Sequence, residues 1–91
     1  AEIVDAVGDK LDVICEGGIH RGTHMLKALS LGAKACSGGR LYLYALAAAG
    51  QAGVERAISQ YRTELERDMK LMGCTKISEL NRNNLRFRNI R

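Results

Sequence analysis

No run among the 91 residues approaches the roughly 18 apolar positions of a membrane span, and nothing shows the basic, apolar, small-residue order of a signal peptide. The three cysteines, Cys15, Cys36 and Cys74, are an odd number at wide spacing. They include no CxxC pair to hold zinc and lack the density of a secreted disulfide framework. Reduced thiols are expected, with Cys15 and Cys36 packed as small hydrophobes. The expectation is a soluble, cytoplasmic chain with no transmembrane segment and no metal site. Aromatic residues are scarce, and no helix-turn-helix or RNA-binding signature is present, which argues against nucleic acid as a partner.

What is present is a short chain of formal net charge +4, long enough for one small domain or a piece of a larger one. At this length a lone hydrophobic core is marginal. The charge is uneven: the last ten residues carry Arg82, Arg86, Arg88 and Arg91 with no acidic residue among them. A solvated or partner-docking tail is the reading. The alternative, a small basic nucleic-acid-binding or interaction protein, would show salt-dependent affinity that vanishes on deleting residues 82–91.

The chain opens without Met on Ile3, Val4 and Val7 at helical spacing, and Gly8-Asp9 stops the pattern, as if a helix were entered partway through. Leu11 to Cys15 is β-branched and apolar, as a strand buried on both faces would be. A glycine-rich turn from Gly17 to Gly22 follows, with Thr23 as the expected cap of a helix whose inner face is Met25, Leu26 and Leu29. Gly32 should end that helix at C′. Ala33 to Ser37 reads as a second strand, running into a second glycine turn at Gly38-Gly39-Arg40. Leu41 to Ala49 is almost wholly apolar and reads as a buried helix, interrupted at Gly50. A long amphipathic helix with Val54, Ile58, Tyr61, Leu65, Met69 and Met72 on one stripe runs to Gly73, and Thr75 is placed to cap a short helix through Leu80. Strands separated by helices imply parallel βαβ units. Two parallel strands leave open edges and bare faces, so residues 1–91 are expected to be the C-terminal part of a (β/α)8 barrel: an α/β fold contributing the last two β/α units and the terminal helices.

Both glycine turns sit between a strand and a helix, at the rim where barrels bind ligands. Glycine lets the backbone approach an anion, and amides at a helix N-terminus point toward it. Arg40 adds a permanent cation suited to forked hydrogen bonds with phosphate. On physical grounds the pair of turns favours a phosphate-bearing ligand, with ordinary tight turns as the alternative.

The residues also carry a resemblance. The run from Glu16 through Gly17, Gly18, Ile19, His20, Arg21 and Gly22 to His24, then Lys27 to Lys34, Gly39-Arg40, Leu46 to Val54, and Met72 to Leu80 resembles the C-terminal part of the FMN-dependent α-hydroxy-acid oxidases and dehydrogenases. That family includes glycolate oxidase and flavin L-lactate dehydrogenases. The resemblance implies an oxidoreductase using FMN to oxidise a small-molecule L-2-hydroxy acid, such as lactate or glycolate, to the 2-oxo acid. It implies FMN binding by Glu16, Gly17, Gly18, Ile19 and His20, and binding of the FMN phosphate by Gly39 and Arg40.

Two positions depart from the family pattern Asp-Gly-Gly-Ile/Val-Arg-Arg-Gly. Glu16 keeps the charge of the aspartate but adds a methylene, and His20 replaces a fixed cation with a titrating group. The family's His-Gly-Gly-Arg motif, which carries the catalytic base and a substrate-binding arginine, has no match in these residues. No catalytic residue is therefore assigned, and His24 reads as a surface histidine. The expected parent is an enzyme that can form a homo-oligomer, while the separate 91-residue chain should be inactive. Another phosphate-binding barrel, such as a nucleotide-oxidising dehydrogenase, is the rival; a catalytic cysteine loop upstream would identify it.

Overall fold

A computed structural model describes residues 1–88. In chain order they form α1 (Glu2–Val7), β1 (Ile14–Glu16), α2 (Gly22–Ser30), β2 (Ala35–Ser37) and α3 (Arg40–Leu71), followed by single 3-10 turns at Ile77–Glu79 and Arg82–Asn84. The expected order of strand, glycine turn, helix, strand, glycine turn, helix is what the chain adopts. Of the basic tail, Arg91 lies outside the described residues.

β1 and β2 pair in parallel, with Ile14 opposite Ala35, Cys15 opposite Cys36 and Glu16 opposite Ser37. Among the described residues the sheet has only these two strands. α2 makes the crossover between them and packs on α3. Its C-terminus follows expectation: Gly32 takes a φ of +109°, and the Ala33 amide reaches back to the Ala28 carbonyl at 3.1 Å. Its N-terminus does not. Arg21 occupies the cap position without a side-chain capping bond, and the Thr23 hydroxyl donates to Asp68 Oδ2 on α3 at 2.5 Å. The helix starts at Gly22, so Thr23 lies one residue inside it, and its hydroxyl bond to an ionised carboxylate ties two helices together. Thr75 likewise does not cap: its hydroxyl donates to Glu79, and the expected short helix shrinks to a 3-10 turn.

α3 is two helices joined at a break. Ala49 and Gly50 leave helical geometry, Gly50 with φ +58°, and beyond them the chain folds back. In an unbroken helix, eight residues span about 12 Å. Here a Cβ at Gly53 would stand 2.1 Å from the Ala45 carbonyl oxygen, so the two arms touch.

The core is small: Ile19, Leu26, Ala28, Ala57, Tyr61 and Leu80, with Ser30 and Glu64 buried beside them. Two packing expectations need correction. Neither strand is covered on both faces, and Ile14 is 63 % exposed. The arm from Leu41 to Ala49, expected to be buried, leaves Leu43, Tyr44 and Leu46 more than half exposed. The physical reason is shared, since among the described residues α2 is the element packed on the sheet and the second arm of α3 the one that touches this arm, leaving the other side of each uncovered. The long stripe, by contrast, finds a partner within the chain: Tyr61 is buried, Leu65 and Met69 are half-buried where α2 crosses, and only Ile58 and Met72 lie largely open.

The start of the tail is held, while Arg86 and Arg88 stand exposed. Arg82 reaches back to α1, its Nη2 standing 2.6 Å from Asp5 Oδ1. That hydrogen bond holds the Asp5 carboxyl below the usual carboxylate range. All three cysteines are free, as expected. Burial, with Cys15 alongside, pushes the Cys36 thiol up, as befits a small hydrophobe. No helix among the described residues is long and apolar enough to cross a membrane, and no cluster of metal-ligating side chains occurs among them.

Candidate anion-binding site

Register decides where the glycine turns go. Because Glu16 lies opposite Ser37 at the ends of two parallel strands, both turns leave the sheet at the same end. They enclose one cleft of about 300 Å³, lined by Glu16, Gly17, Gly18, Ile19, His20, Ser37, Gly39 and Arg40. All seven sequence-derived candidates thus converge on one place. Ser37 is the addition: it read as the last strand residue, and only pairing with Glu16 reveals that it faces the same opening.

Gly17 and Gly18 have φ values of +110° and +68°, conformations that side chains with a Cβ rarely adopt, and nothing fills the space where those Cβ atoms would stand. A flat stretch of backbone therefore borders the cleft. Opposite it, α3 starts at Arg40 with Gly39 as its cap, no side chain bonded to its first amides and no acid in its first turn. Unsatisfied N–H groups and the positive end of the helix dipole are left at the opening. Arg40 is exposed and makes no salt bridge among the described residues.

The other members are distinguishable. Ile19 anchors the first turn: it is 8 % exposed, and its carbonyl accepts a hydrogen bond from the Tyr61 hydroxyl. The backbone N–H of His20 is already committed, donating to His24 Nδ1 at 3.1 Å. His24 is thus more than a surface histidine, since it holds the turn through an imidazole nitrogen that must be unprotonated to accept. Arg21 points away from the cleft to the buried Glu64, with Nε 2.6 Å from Oε2.

Larger grooves exist elsewhere. One of about 800 Å³ runs between α2 and the C-terminal segment past Leu26, Leu31, Leu71, Leu85 and Phe87, but it is mostly apolar and offers no converging amides. The smaller cleft is the one whose donors match a phosphate. It fits the phosphate-bearing end of FMN in sign and in donor type, and the Glu16 carboxylate, an acceptor only, suits hydroxyl groups next to that phosphate.

Comparison with known proteins agrees with this geometry. Residues 1–87 match the sequence model of a family described as FMN-dependent dehydrogenase. A peroxisomal (S)-2-hydroxyacid oxidase of Arabidopsis thaliana is 43 % identical over 90 residues, covering 99 % of this chain and 25 % of the relative. An L-lactate dehydrogenase (cytochrome) of Saccharomyces cerevisiae is 53 % identical over 72 residues, covering 79 % of this chain and 12 % of the relative. Among solved structures, the recombinant flavin-binding domain of baker's yeast flavocytochrome b2 superposes with a TM-score of 0.82 at 46 % identity, over 90 % of this chain and 21 % of that one. The chain therefore spans a quarter or less of the length of these relatives.

Relatives named as peroxisomal overturn the cytoplasmic expectation. That expectation leaned on finding no signal-peptide pattern in these 91 residues, which reports on secretion and not on other cellular addresses. The family match over nearly all of its length, the superposition on a flavin-binding domain and the convergent cleft lead to one statement: this chain belongs to the FMN-dependent dehydrogenase family, whose cofactor is FMN.

Proposed function

We propose that these residues are the flavin-phosphate-holding part of a (β/α)8-barrel enzyme that oxidises an L-2-hydroxy acid, such as lactate or glycolate, to the 2-oxo acid. The observation that carries the reading is the convergence of Gly17, Gly18, Gly39 and Arg40 on one cleft. The relatives support the reaction class: they include a 2-hydroxyacid oxidase and an L-lactate oxidase, and a flavocytochrome b2 with pyruvate bound superposes with a TM-score of 0.79. The bound flavin supplies the capacity to take up the two electrons released when the alcohol carbon becomes a ketone.

The residues of this chain bind and orient. Arg40 and the first amides of α3 neutralise the phosphate dianion, the backbone of Gly17 and Gly18 lets the cofactor chain lie close, and Glu16 accepts from its hydroxyl groups. Ile19 keeps the turn seated in the core, and His20 closes the rim. No residue here is assigned as the base that takes the substrate proton, so the separate chain is expected to bind flavin without oxidising a hydroxy acid.

The test is the preference for FMN over riboflavin, which differ by the phosphate alone. Charge-assisted hydrogen bonds contribute about 1.5–3 kcal/mol, so Arg40→Ala should weaken FMN binding roughly ten- to hundredfold and leave riboflavin almost untouched. Equal affinity of the Arg40→Ala protein for FMN, measured by quenching of flavin fluorescence, would refute the site.

A further inference from the structure

Tyr61 is the polar member of an otherwise aliphatic stripe on α3, and packing alone does not require its hydroxyl. That hydroxyl donates to the Ile19 carbonyl in the first glycine turn, 42 residues away in sequence. It also borders the second turn: a Cβ built on Gly38 would stand 3.0 Å from the Tyr61 oxygen, 3.3 Å from Tyr42 Cε2 and 3.6 Å from the Ile19 carbonyl oxygen. The Tyr42 ring, on the first arm of α3, meets the Tyr61 ring edge to face with centroids 5.8 Å apart. One buried oxygen therefore sits at the meeting point of both turns and both arms of α3. Burial, with Tyr42 alongside, raises the phenol above its ordinary value, so the proton stays on the oxygen that must donate it.

We infer that Tyr61 is a positioning residue for the cofactor phosphate: its hydroxyl pins the Gly17–Ile19 turn against Gly38, fixing the distance between the two walls of the cleft. This rests on the phosphate reading above and deepens it. The physical argument is that a carbonyl shut inside the core without a donor is costly, so its segment shifts until the group finds water or another partner. Without the hydroxyl, the turn would move away from the core and draw the Gly17 and Gly18 backbone off the phosphate position. Gly38 is the counterpart on the other wall. A methyl group there would press on the same oxygen from the opposite side, so Gly38→Ala and Tyr61→Phe should disturb one contact, not two.

The experiment uses the whole flavoprotein, stripped of flavin and titrated separately with FMN and with riboflavin. Tyr61→Phe should narrow the FMN preference by about five- to tenfold, the worth of one net hydrogen bond, and leave riboflavin affinity in place. Gly38→Ala should act in the same direction, and the double variant should be no worse than the weaker-binding single, because coupled residues are not additive. Amide hydrogen exchange at residues 17 to 20 should accelerate in Tyr61→Phe without flavin present, while the amides of α2 keep their protection. An unchanged FMN-to-riboflavin ratio in Tyr61→Phe, an equal loss for both flavins, or strictly additive single effects would each overturn the inference. If Tyr61→Phe does not fold, the ratio measured for Gly38→Ala decides the matter. Arg40→Ala separates the two levels: a narrowed preference there with none in Tyr61→Phe sinks the pin alone, and an unchanged preference in Arg40→Ala sinks the phosphate reading and the pin with it.

Discussion

Single residues divide into those whose role shows in the sequence and those whose role needs a partner from far along the chain. Arg40 belongs to the first kind, because a cation after a strand and two glycines announces itself. Arg21 and Glu64 belong to the second, lying 43 positions apart yet forming a 2.6 Å ion pair in which Glu64 is only 4 % exposed. Removing the arginine leaves the buried Glu64 carboxylate with only Arg67, whose Nη2 stands 3.9 Å from the same oxygen, and because the Arg21 side chain is 58 % exposed, water recovers part of the cost. Arg21→Ala should therefore lower stability by about 2 kcal/mol in urea titration, and Glu64→Gln by less, since the amide keeps an acceptor and brings no charge. Ser30 offers the opposite sign. Its hydroxyl is buried with no hydrogen-bond partner among the described residues, so Ser30→Ala should be neutral or stabilising by up to roughly 1 kcal/mol in the same measurement.

At the scale of elements, the packing of α2 on α3 depends on one missing side chain. A Cβ at Gly22 would stand 2.5 Å from both Glu64 Cβ and the Leu65 amide nitrogen, so Gly22→Ala must push the helices apart and should cost about 1–3 kcal/mol, read as a lowered Tm. The Thr23 bond on the next residue holds the Asp68 carboxyl below the usual range, as Arg82 does for Asp5. A carboxyl depressed in the folded state stabilises above its unfolded pKa and loses that contribution as pH falls through the lowered value. Both clamps should thus weaken below about pH 4, and Thr23→Val should flatten the loss of stability on acid titration between pH 5 and pH 2. Element order and both turns were legible because glycine, β-branched runs and helical spacing are local signals. The break at Ala49–Gly50 was marked by its glycine, but the contact of Gly53 on Ala45 was not, since no local pattern states how far a chain folds back. Thr23 and Thr75 misled because the helical turns do not start where each would cap: Arg21 and Lys76 hold the cap positions, and each threonine hydroxyl donates to a carboxylate, Asp68 and Glu79. The cleft itself was readable from motif order, whereas Ser37 and the Tyr61 hydroxyl emerged only from register and packing.

For the whole molecule, the exposed apolar surface outweighs the core. Ile3, Leu11, Ile14, Leu43, Tyr44, Leu46, Leu71 and Phe87 all stand more than half open, spread over β1 and the segments before it, the first arm of α3, its far end and the C-terminal segment. Such coverage is more than a monomer of this size tolerates, so the separate chain should self-associate, with light scattering showing a mass that rises with concentration and falls when Leu43 and Leu46 are changed to Gln. The parallel register of β1 and β2 has a further consequence. Among the described residues each strand is hydrogen-bonded on one side only, so each offers a row of unsatisfied amides and carbonyls facing opposite directions. A segment with two such borders behaves like the last stave of a cask, held from left and right at once or not at all. In the (β/α)8 barrel proposed above, supplying it as a separate polypeptide to the remainder should restore flavin retention in trans, with both seams closing in a single cooperative step.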